Sequence, residues 1–389
     1  MAMKQRLLRL YKWEYFWVCL FILVTLTMHF SVIYRPTELI IDEQHYVNDA
    51  RGIIQGNDTQ RPEHPPLGKL FVVAGVLIFG DNPLGWRFFS VILGTVNILL
   101  FYLICRRLAL SRRTSSVATF LLALENLSFV QSSVAMLDVY SLTFTLAAFW
   151  LYLKDRYLLS GVAVALSALA KLYGVLALPA IVLHWLFTRR QPRDWRQIVM
   201  LVLVSPVAFL GLMVPLDFIV ARHFVDPVSR IWTMLTLSGT LTFETAKHDA
   251  DSRPWEWLLR PVLMAYWYEP HYTAGISFTI WALIIPTVLY ITYRTIKKND
   301  AGLFALAWFT STYLFWIPTS LITNRISFIF YFYPTVGAIC IGLGMGLMQI
   351  VESLEVKKSG KLRWLILTVP VYLLGHIAVF VILAPVFSR

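Results

Sequence analysis

Two adjacent carboxylates, Asp42 and Glu43, open a polar stretch that closes on His64-Pro65-Pro66-Leu67-Gly68-Lys69. A carboxylate so placed can accept a proton from an attacking hydroxyl, and nearby cations can stabilise a departing anion. Arg87, Glu125, Asp138, Lys171, Arg253 and Arg325 also fall at ends of apolar runs or in the loops between them. Charge beside a bilayer is costly, which makes each of these a functional candidate. Each also has a plainer reading. Asp42 and Asp138 stand where helix caps stand, and Glu43 lies in a first helical turn. Lys69 could snorkel, Arg87 could anchor a span beside Trp86, and His64-Pro65-Pro66 could stiffen the entry to a helix. Lys171 lies between two short apolar halves where snorkelling is hard, which favours a bound anion. Trp255, Trp257, Trp267 and Tyr268 match an interfacial aromatic belt.

The elements that must position these residues are apolar helices. The chain is 58% hydrophobic and only 14% charged, which marks an integral membrane protein rather than a large soluble domain. Apolar runs of roughly 20 residues match a hydrocarbon core of about 30 Å. Spans are expected near 14–33, 84–104, 114–131, 137–153, 157–171, 172–188, 196–219, 273–293, 301–320, 326–350 and 364–386. The fold class is therefore an all-α polytopic membrane protein with about eleven transmembrane helices. The run Leu67–Gly80 is too short to cross and is expected as an in-plane helix of the first outer loop. Glu43 to Ile54 reads as a helix stopped by Gly56.

With that layout Lys4, Arg6, Arg9, Lys12, Arg106, Arg107, Arg112 and Arg113 fall on one face with most later basic clusters, down to Lys357, Lys358, Lys361 and Arg363. The formal charge of +12 is then a positive-inside orientation signal, and no nucleic-acid partner is implied. The amino terminus is expected in the cytoplasm, with the Asp42 stretch outside. The division expected is 1–220, a transmembrane module with the outer loop 35–83, and 221–389, a further outer loop with four helices. Cys19, Cys105 and Cys340 lie in or beside apolar runs and are expected as unreactive thiols. The glycines Gly342, Gly344 and Gly346 suggest close helix packing, and Asn57-Asp58-Thr59 is an outer-side glycosylation sequon.

The order of the pieces resembles the protein O-mannosyltransferase family, membrane glycosyltransferases of the GT-C type. The resemblance is carried by Asp42-Glu43, the His64-to-Lys69 motif, Arg87, Phe129-Val130-Gln131-Ser132 and Ala135-Met136-Leu137-Asp138. It continues through Ala170-Lys171-Leu172-Tyr173-Gly174, Ser252-Arg253-Pro254-Trp255-Glu256-Trp257, Arg260-Pro261, Tyr266-Trp267-Tyr268 and the aromatic stretch from Arg325 to Pro334. There are departures. Ser133 stands where the family usually has Arg, and His248-Asp249-Ala250-Asp251 replaces the usual His-Pro-Tyr. The outer loop 220–272 shows no MIR-like all-β insertion, so the likeness is to compact prokaryotic members.

The resemblance implies a GT-C fold and inverting transfer of mannose, or a similar hexose, from a polyprenyl-phosphate donor to Ser/Thr hydroxyls of exported proteins. It makes Asp42 the expected base and gives Glu43 the sugar or acceptor site. Donor phosphate or sugar contacts are expected from His64, Lys69, Arg87, Asp138, Lys171 and Arg325, with Arg87 first among the phosphate ligands because its fork is bidentate. Arg253 and Trp255 are expected at the acceptor. No cofactor is required, although Asp42 and Glu43 could ligate a divalent cation. The partners implied are the lipid-linked sugar, a Ser/Thr-containing polypeptide and the bilayer, with association with the secretion machinery or a dimer left open. The location implied is a prokaryotic plasma membrane, or the ER membrane in a eukaryote, with the active site extracytoplasmic. The alternatives are a lipid-linked sugar transferase acting on a glycolipid or polysaccharide, and a transporter or flippase. The arabinosyl branch usually has Lys-Pro-Pro-Leu where this chain has His64-Pro65-Pro66-Leu67, and the chain shows neither inverted repeats nor mid-span charges.

Overall fold

In a computed structural model, the described residues are 13–190, 194–246, 248–356 and 367–388. The cationic clusters expected at Lys4, Arg6, Arg9 and Lys12, at Arg193, and at Lys357, Lys358, Lys361 and Arg363 lie outside them. The first apolar run forms α1, Phe16–Val32. The acidic stretch forms α2, Glu43–Ile54, with Gly56 at φ +85° just past its end. The short apolar run is α3, Pro66–Phe79, and α4 follows as Pro83–Arg107. Pro66 and Pro83 open these two helices, where a missing N–H costs nothing. Gly75 and Gly85 let α3 and α4 meet closely: a Cβ on Gly75 would lie 2.0 Å from the Gly85 carbonyl oxygen.

The span expected over 114–131 is not one helix. It is α5, Arg112–Ala123, and α6, Asn126–Ser133, separated at Leu124-Glu125. Glu125 causes the break by capping α6, accepting from the backbone N–H groups of Leu127 and Ser128. α6 then meets α7, Leu137–Tyr152, at a bend of 115°. Next come α8, Tyr157–Ala170, a 3₁₀ turn at Leu172–Leu176 and α9, Ala177–Phe187. α10, Trp195–Ala221, follows and packs on α8.

The segment that follows α10 holds α11, Pro227–Thr240, and α12, Glu256–Leu259. It also holds a hairpin of β1, Met264–Trp267, and β2, Tyr272–Ala274, in register Met264 to Ala274. The sequence reading foresaw neither α11 nor this hairpin. The Asn126 side chain ties the hairpin to α6 by donating to the Thr273 and Gly275 carbonyls. Trp257, expected in an interfacial belt, is instead fully buried and donates to the Ser252 hydroxyl.

The remaining helices are α13, Phe278–Trp281; α14, Ile284–Ile296; α15, Asp300–Phe309; and α16, Trp316–Thr323. A π turn at Thr310–Leu314 joins the last two. A 3₁₀ segment at Ile329–Thr335 leads into α17, Val336–Val356, and α18 is Thr368–Leu383. Gly344 lets α17 touch α5, since a Cβ there would lie 2.8 Å from that of Ala118. Among the described residues four stretches are long and apolar enough to cross a membrane: Pro83–Arg107, Trp195–Ala221, Asp300–Thr323 and Ile329–Leu354. Shorter apolar helices such as Phe16–Val32 and Pro66–Phe79 pack among them, and one continuous apolar core runs from Ile40 to Val369. The three cysteines are free, Cys19 exposed and the others buried.

Candidate active site

Asp42 occupies the residue before α2, yet its carboxylate makes no cap. Among the described residues it has no hydrogen-bond or ion-pair partner at all. The preceding Ile41 has φ 44°, a left-handed conformation that a β-branched residue adopts only at a cost of about 1–3 kcal/mol. That turn separates the fates of the two acids.

Glu43 is fully buried and holds Arg87: Nε donates to Oε1 and Nη2 to Oε2, each at 2.8 Å. The same carboxylate accepts from the backbone N–H of Ala135 and of Ile40. Arg87 spends its other donors on the carbonyls of Ile33, Pro36 and Glu38. All five N–H groups of its guanidinium are thus used. This corrects the expectation that Arg87 leads in holding a phosphate: it is a buried clamp joining α4, α2 and the end of α1. Glu43 likewise lies in that clamp rather than at a sugar. With its oxygens so engaged, Glu43 does not converge with Asp42 on a shared divalent cation.

Lys69 is a second internal staple. Its Nζ lies 3.0 Å from Asp49 Oδ2, both side chains fully buried, and also donates to Thr59 Oγ1 and the Arg61 carbonyl. Thr59 in turn donates to Asp49, which fixes the loop between α2 and α3. Asn57 of the sequon is exposed.

The residues that do gather around Asp42 come from distant elements. Burial raises the Asp42 pKa above the ordinary carboxylate value, and Asp138 adds to the rise. The charges of Lys171, His45 and Arg61 oppose it. Lys171 Nζ lies 2.7 Å from Asp138 Oδ2, and the Tyr173 hydroxyl donates to Asp138 Oδ1 at 3.0 Å. The Lys171 ammonium also faces the rings of Phe330, Tyr173 and Tyr331 at 5.4–5.9 Å. Lys171 is available because α8 ends at Ala170, and the backbone is extended there before the 3₁₀ turn begins.

His64 is held by the loop before α3. Its Nε2 lies 3.5 Å from the Tyr46 hydroxyl, and Tyr46 is one helical turn beyond Asp42 on the same face of α2. Burial, then the charges of Lys171, Lys69, Arg325 and Arg61, hold the His64 imidazole well below its ordinary pKa. It is therefore neutral at pH 7 and serves as a hydrogen-bonding group, not as a cation. Arg325 is half-buried, with a guanidinium that has no partner among the described residues; its backbone bridges to Thr242.

Arg253 and Trp255 stand apart from this cluster. Arg253 donates to Ser320 and Asn324 and lies 3.8 Å above the Phe243 ring, which fastens the segment after α11 to the end of α16. Trp255 lines an apolar cavity with Ile284, Leu289 and Ile317.

The Arg230–Asp217 pair escaped the sequence reading. Arg230 pairs with Asp217 and donates to the carbonyls of Pro62 and His64, so α11 fixes the His64 loop. An acid inside the apolar run 196–219 was the available signal. The Tyr266 hydroxyl accepts from Gln131 Nε2 at 2.7 Å, and Gln131 Oε1 is buried without a partner among the described residues. Ser133 Oγ lies 2.9 Å from His29 Nδ1, and His29 stacks on Phe129 at 4.1 Å.

Residues 63–216 match the family model described as dolichyl-phosphate-mannose-protein mannosyltransferase. The polyprenol-phosphate-mannose–protein mannosyltransferase of Mycolicibacterium smegmatis is 34% identical over 123 residues, 30% of this chain and 24% of that protein. The match therefore spans about a quarter of such relatives. An undecaprenyl phosphate-alpha-4-amino-4-deoxy-L-arabinose arabinosyl transferase of Pseudomonas aeruginosa is 26% identical over 64% of this chain and 46% of its own. The Saccharomyces cerevisiae protein O-mannosyltransferase Pmt1-Pmt2 complex, solved with its sugar donor, superposes with a TM-score of 0.75 at 12% identity. That superposition covers 96% of this chain and 90% of the other. The chain is an integral membrane protein with the GT-C glycosyltransferase fold, and its residues 63–216 are similar to the family described as dolichyl-phosphate-mannose-protein mannosyltransferase.

Proposed function

We propose that this protein is an inverting glycosyltransferase that moves mannose from a polyprenyl-phosphate donor to Ser or Thr hydroxyls of exported polypeptides. The supporting observation is Asp42: a carboxylate with a raised pKa and no partner among the described residues, whose ionisation is influenced by the charges of the Lys171–Asp138 pair. In the reaction the acceptor oxygen bonds to C1 as the bond from C1 to the phosphate oxygen breaks. The bonding pair leaves with the phosphate, and the acceptor proton passes to Asp42. A raised pKa makes the ionised Asp42 carboxylate a better base. The phosphate departs as a stable anion and needs cations rather than an acid. Lys171 and the unpartnered Arg325 are the residues assigned to it. Lys69 and Arg87 act by fixing the loop that carries Asp42 and His64.

The side assigned to this site is extracytoplasmic, with the amino terminus in the cytoplasm and the protein in a prokaryotic plasma membrane. The distribution of Arg106, Arg107, Arg112 and Arg113 against Asp42, Glu43 and Asp138 supports that orientation. A second reading, transfer to a glycolipid, is favoured by the arabinosyl transferase likeness over 64% of the chain. Full-length protein in proteoliposomes, given labelled polyprenyl-phosphate mannose and a Ser/Thr peptide, separates the two. Label on the peptide supports the proposal. Label reaching only a lipid A-type acceptor, or turnover only with an aminoarabinose donor, selects the second reading.

A further inference from the structure

At the other end of α4 from Asp42 lies a separate basic site. α4 is about 37 Å long at 1.5 Å per residue, so the two sites are a membrane thickness apart. A cavity of about 710 Å³ is lined there by Leu108, Phe187, Arg189, Lys298, Asp300 and Leu303, among others. Its one acid is already neutralised. Asp300 accepts from Arg190 Nε at 2.6 Å, His184 Nε2 approaches it at 3.1 Å, and Thr188 donates to it as well. Arg190 is further fixed by donating to the Arg107 carbonyl. Arg189 and Lys298 have no such partner among the described residues, and Lys298 is set by a left-handed backbone at φ 66°.

The walls are apolar where they face the lipid: Phe187 is 68% exposed beside Leu108 and Leu303. Two uncompensated cations over an apolar wall, at the end of membrane helices, match an amphiphile with a phosphate head and acyl chains. We propose that this cavity binds the headgroup of an anionic phospholipid, with Arg189 and Lys298 on the phosphate and Phe187 against the chains. It lies far from the transfer site and does not depend on the transferase reading.

The test is native mass spectrometry of the full-length protein titrated with short-chain phosphatidylglycerol, phosphatidylcholine or inorganic phosphate. Phosphatidylglycerol adducts should be retained over phosphatidylcholine. They should fall about thirtyfold in Arg189→Gln/Lys298→Gln, as two basic groups near a membrane surface contribute. Arg189→Lys/Lys298→Arg, which keeps both charges, should retain them. Undiminished phosphatidylglycerol binding in the Gln double variant would overturn the proposal. So would displacement of the lipid by inorganic phosphate alone, which would make the cavity an anion site without a lipid role. Thermal unfolding in phosphatidylcholine, unchanged between the variants, confirms that the fold is intact.

Discussion

Glu43 and Arg87 form a buried bidentate pair at 2.8 Å, and that pair is what leaves Asp42 alone. The arginine attends to the second of the two adjacent acids and to three backbone carbonyls, so the first acid gains no ion-pair partner from it. The sequence presents a doublet; the fold makes one residue scaffold and leaves the other unpaired.

The clearest consequence concerns Asp42→Asn. Loss of the base should lower transfer by about 10²–10⁴-fold. The stability effect has the opposite sign. An acid whose pKa is raised in the folded protein favours folding most when protonated, and that contribution is lost as pH rises through the folded pKa. Above that pH, Asn removes an unpaired charge, so the variant should unfold at a temperature equal to or higher than the parent. A Tm that drops together with activity would instead give Asp42 a structural role.

The Glu43–Arg87 clamp should behave in the opposite way. Removing one partner of a fully buried pair strands a charge, at a cost of about 3–5 kcal/mol. Arg87→Met should therefore cut folded yield and Tm sharply before any kinetic effect is measurable. The double variant Glu43→Leu/Arg87→Met should recover only part of this, because the Ile40 and Ala135 N–H groups lose their acceptor. A thermal-unfolding cycle over the four proteins measures that coupling. Near-additive losses would mean the pair is not coupled as its geometry requires.

The pH profile follows from the two titrating groups of the loop. Asp42 must be ionised to act, so the rate should fall on the acid side, with a midpoint above the ordinary Asp value because burial raises it. His64 should add no step between pH 6 and 8, since burial keeps its imidazole neutral throughout that range. A rate–pH profile of parent and His64→Asn checks both points. A neutral-range limb that disappears in His64→Asn would overturn the assignment of a neutral imidazole.

Arg325 and Arg87 show what was legible in the sequence and what was not. Residue type and position relative to the spans marked both as cations near one membrane face, and the helix at Glu43–Ile54 with its Gly56 stop was readable from local pattern. Whether a cation is free depends on partners brought from far along the chain. Arg87 finds Glu43 and three carbonyls before α2, while Arg325 finds none, and spacing encodes neither outcome. The break of the 114–131 run was hidden for the same reason. Glu125 reads as a charge at a span end until Ser277, from a remote segment, donates its N–H to the same carboxylate. The hairpin Met264–Ala274 was masked by its aromatic content, which suits an interfacial belt as well as a strand.

If Arg325 supplies charge to the leaving phosphate, Arg325→Gln should change Tm little, because its side chain has no hydrogen bond or ion pair among the described residues to lose. kcat/KM for the lipid-linked sugar should fall about 10²–10³-fold, as for removal of one preorganised transition-state donor. Arg325→Lys should recover part of the loss through charge without bidentate geometry. Steady-state kinetics with a fixed acceptor measures this. A variant with parental kcat/KM would leave Lys171 as the phosphate cation.

The contact between α3 and α4 offers a purely steric test of how the site is held. A Cβ at Gly75 would meet the Gly85 carbonyl oxygen at 2.0 Å, a distance that only separation of the two helices relieves. α3 also packs on α2, and α4 carries Arg87, so separating them pulls on both ends of the clamp that leaves Asp42 free. Gly75→Ala should cost about 1–3 kcal/mol, the usual penalty for overpacking, and lower activity with it. Gly211→Ala, in α10 with nothing within 4 Å of the added carbon, should be neutral or stabilising by about 0.5–1 kcal/mol, since alanine suits a helix interior better than glycine. Comparing the two in one thermal-shift and activity series isolates helix approach from helix propensity. If Gly75→Ala matched Gly211→Ala in both readouts, the close approach of α3 and α4 would have no part in positioning the site.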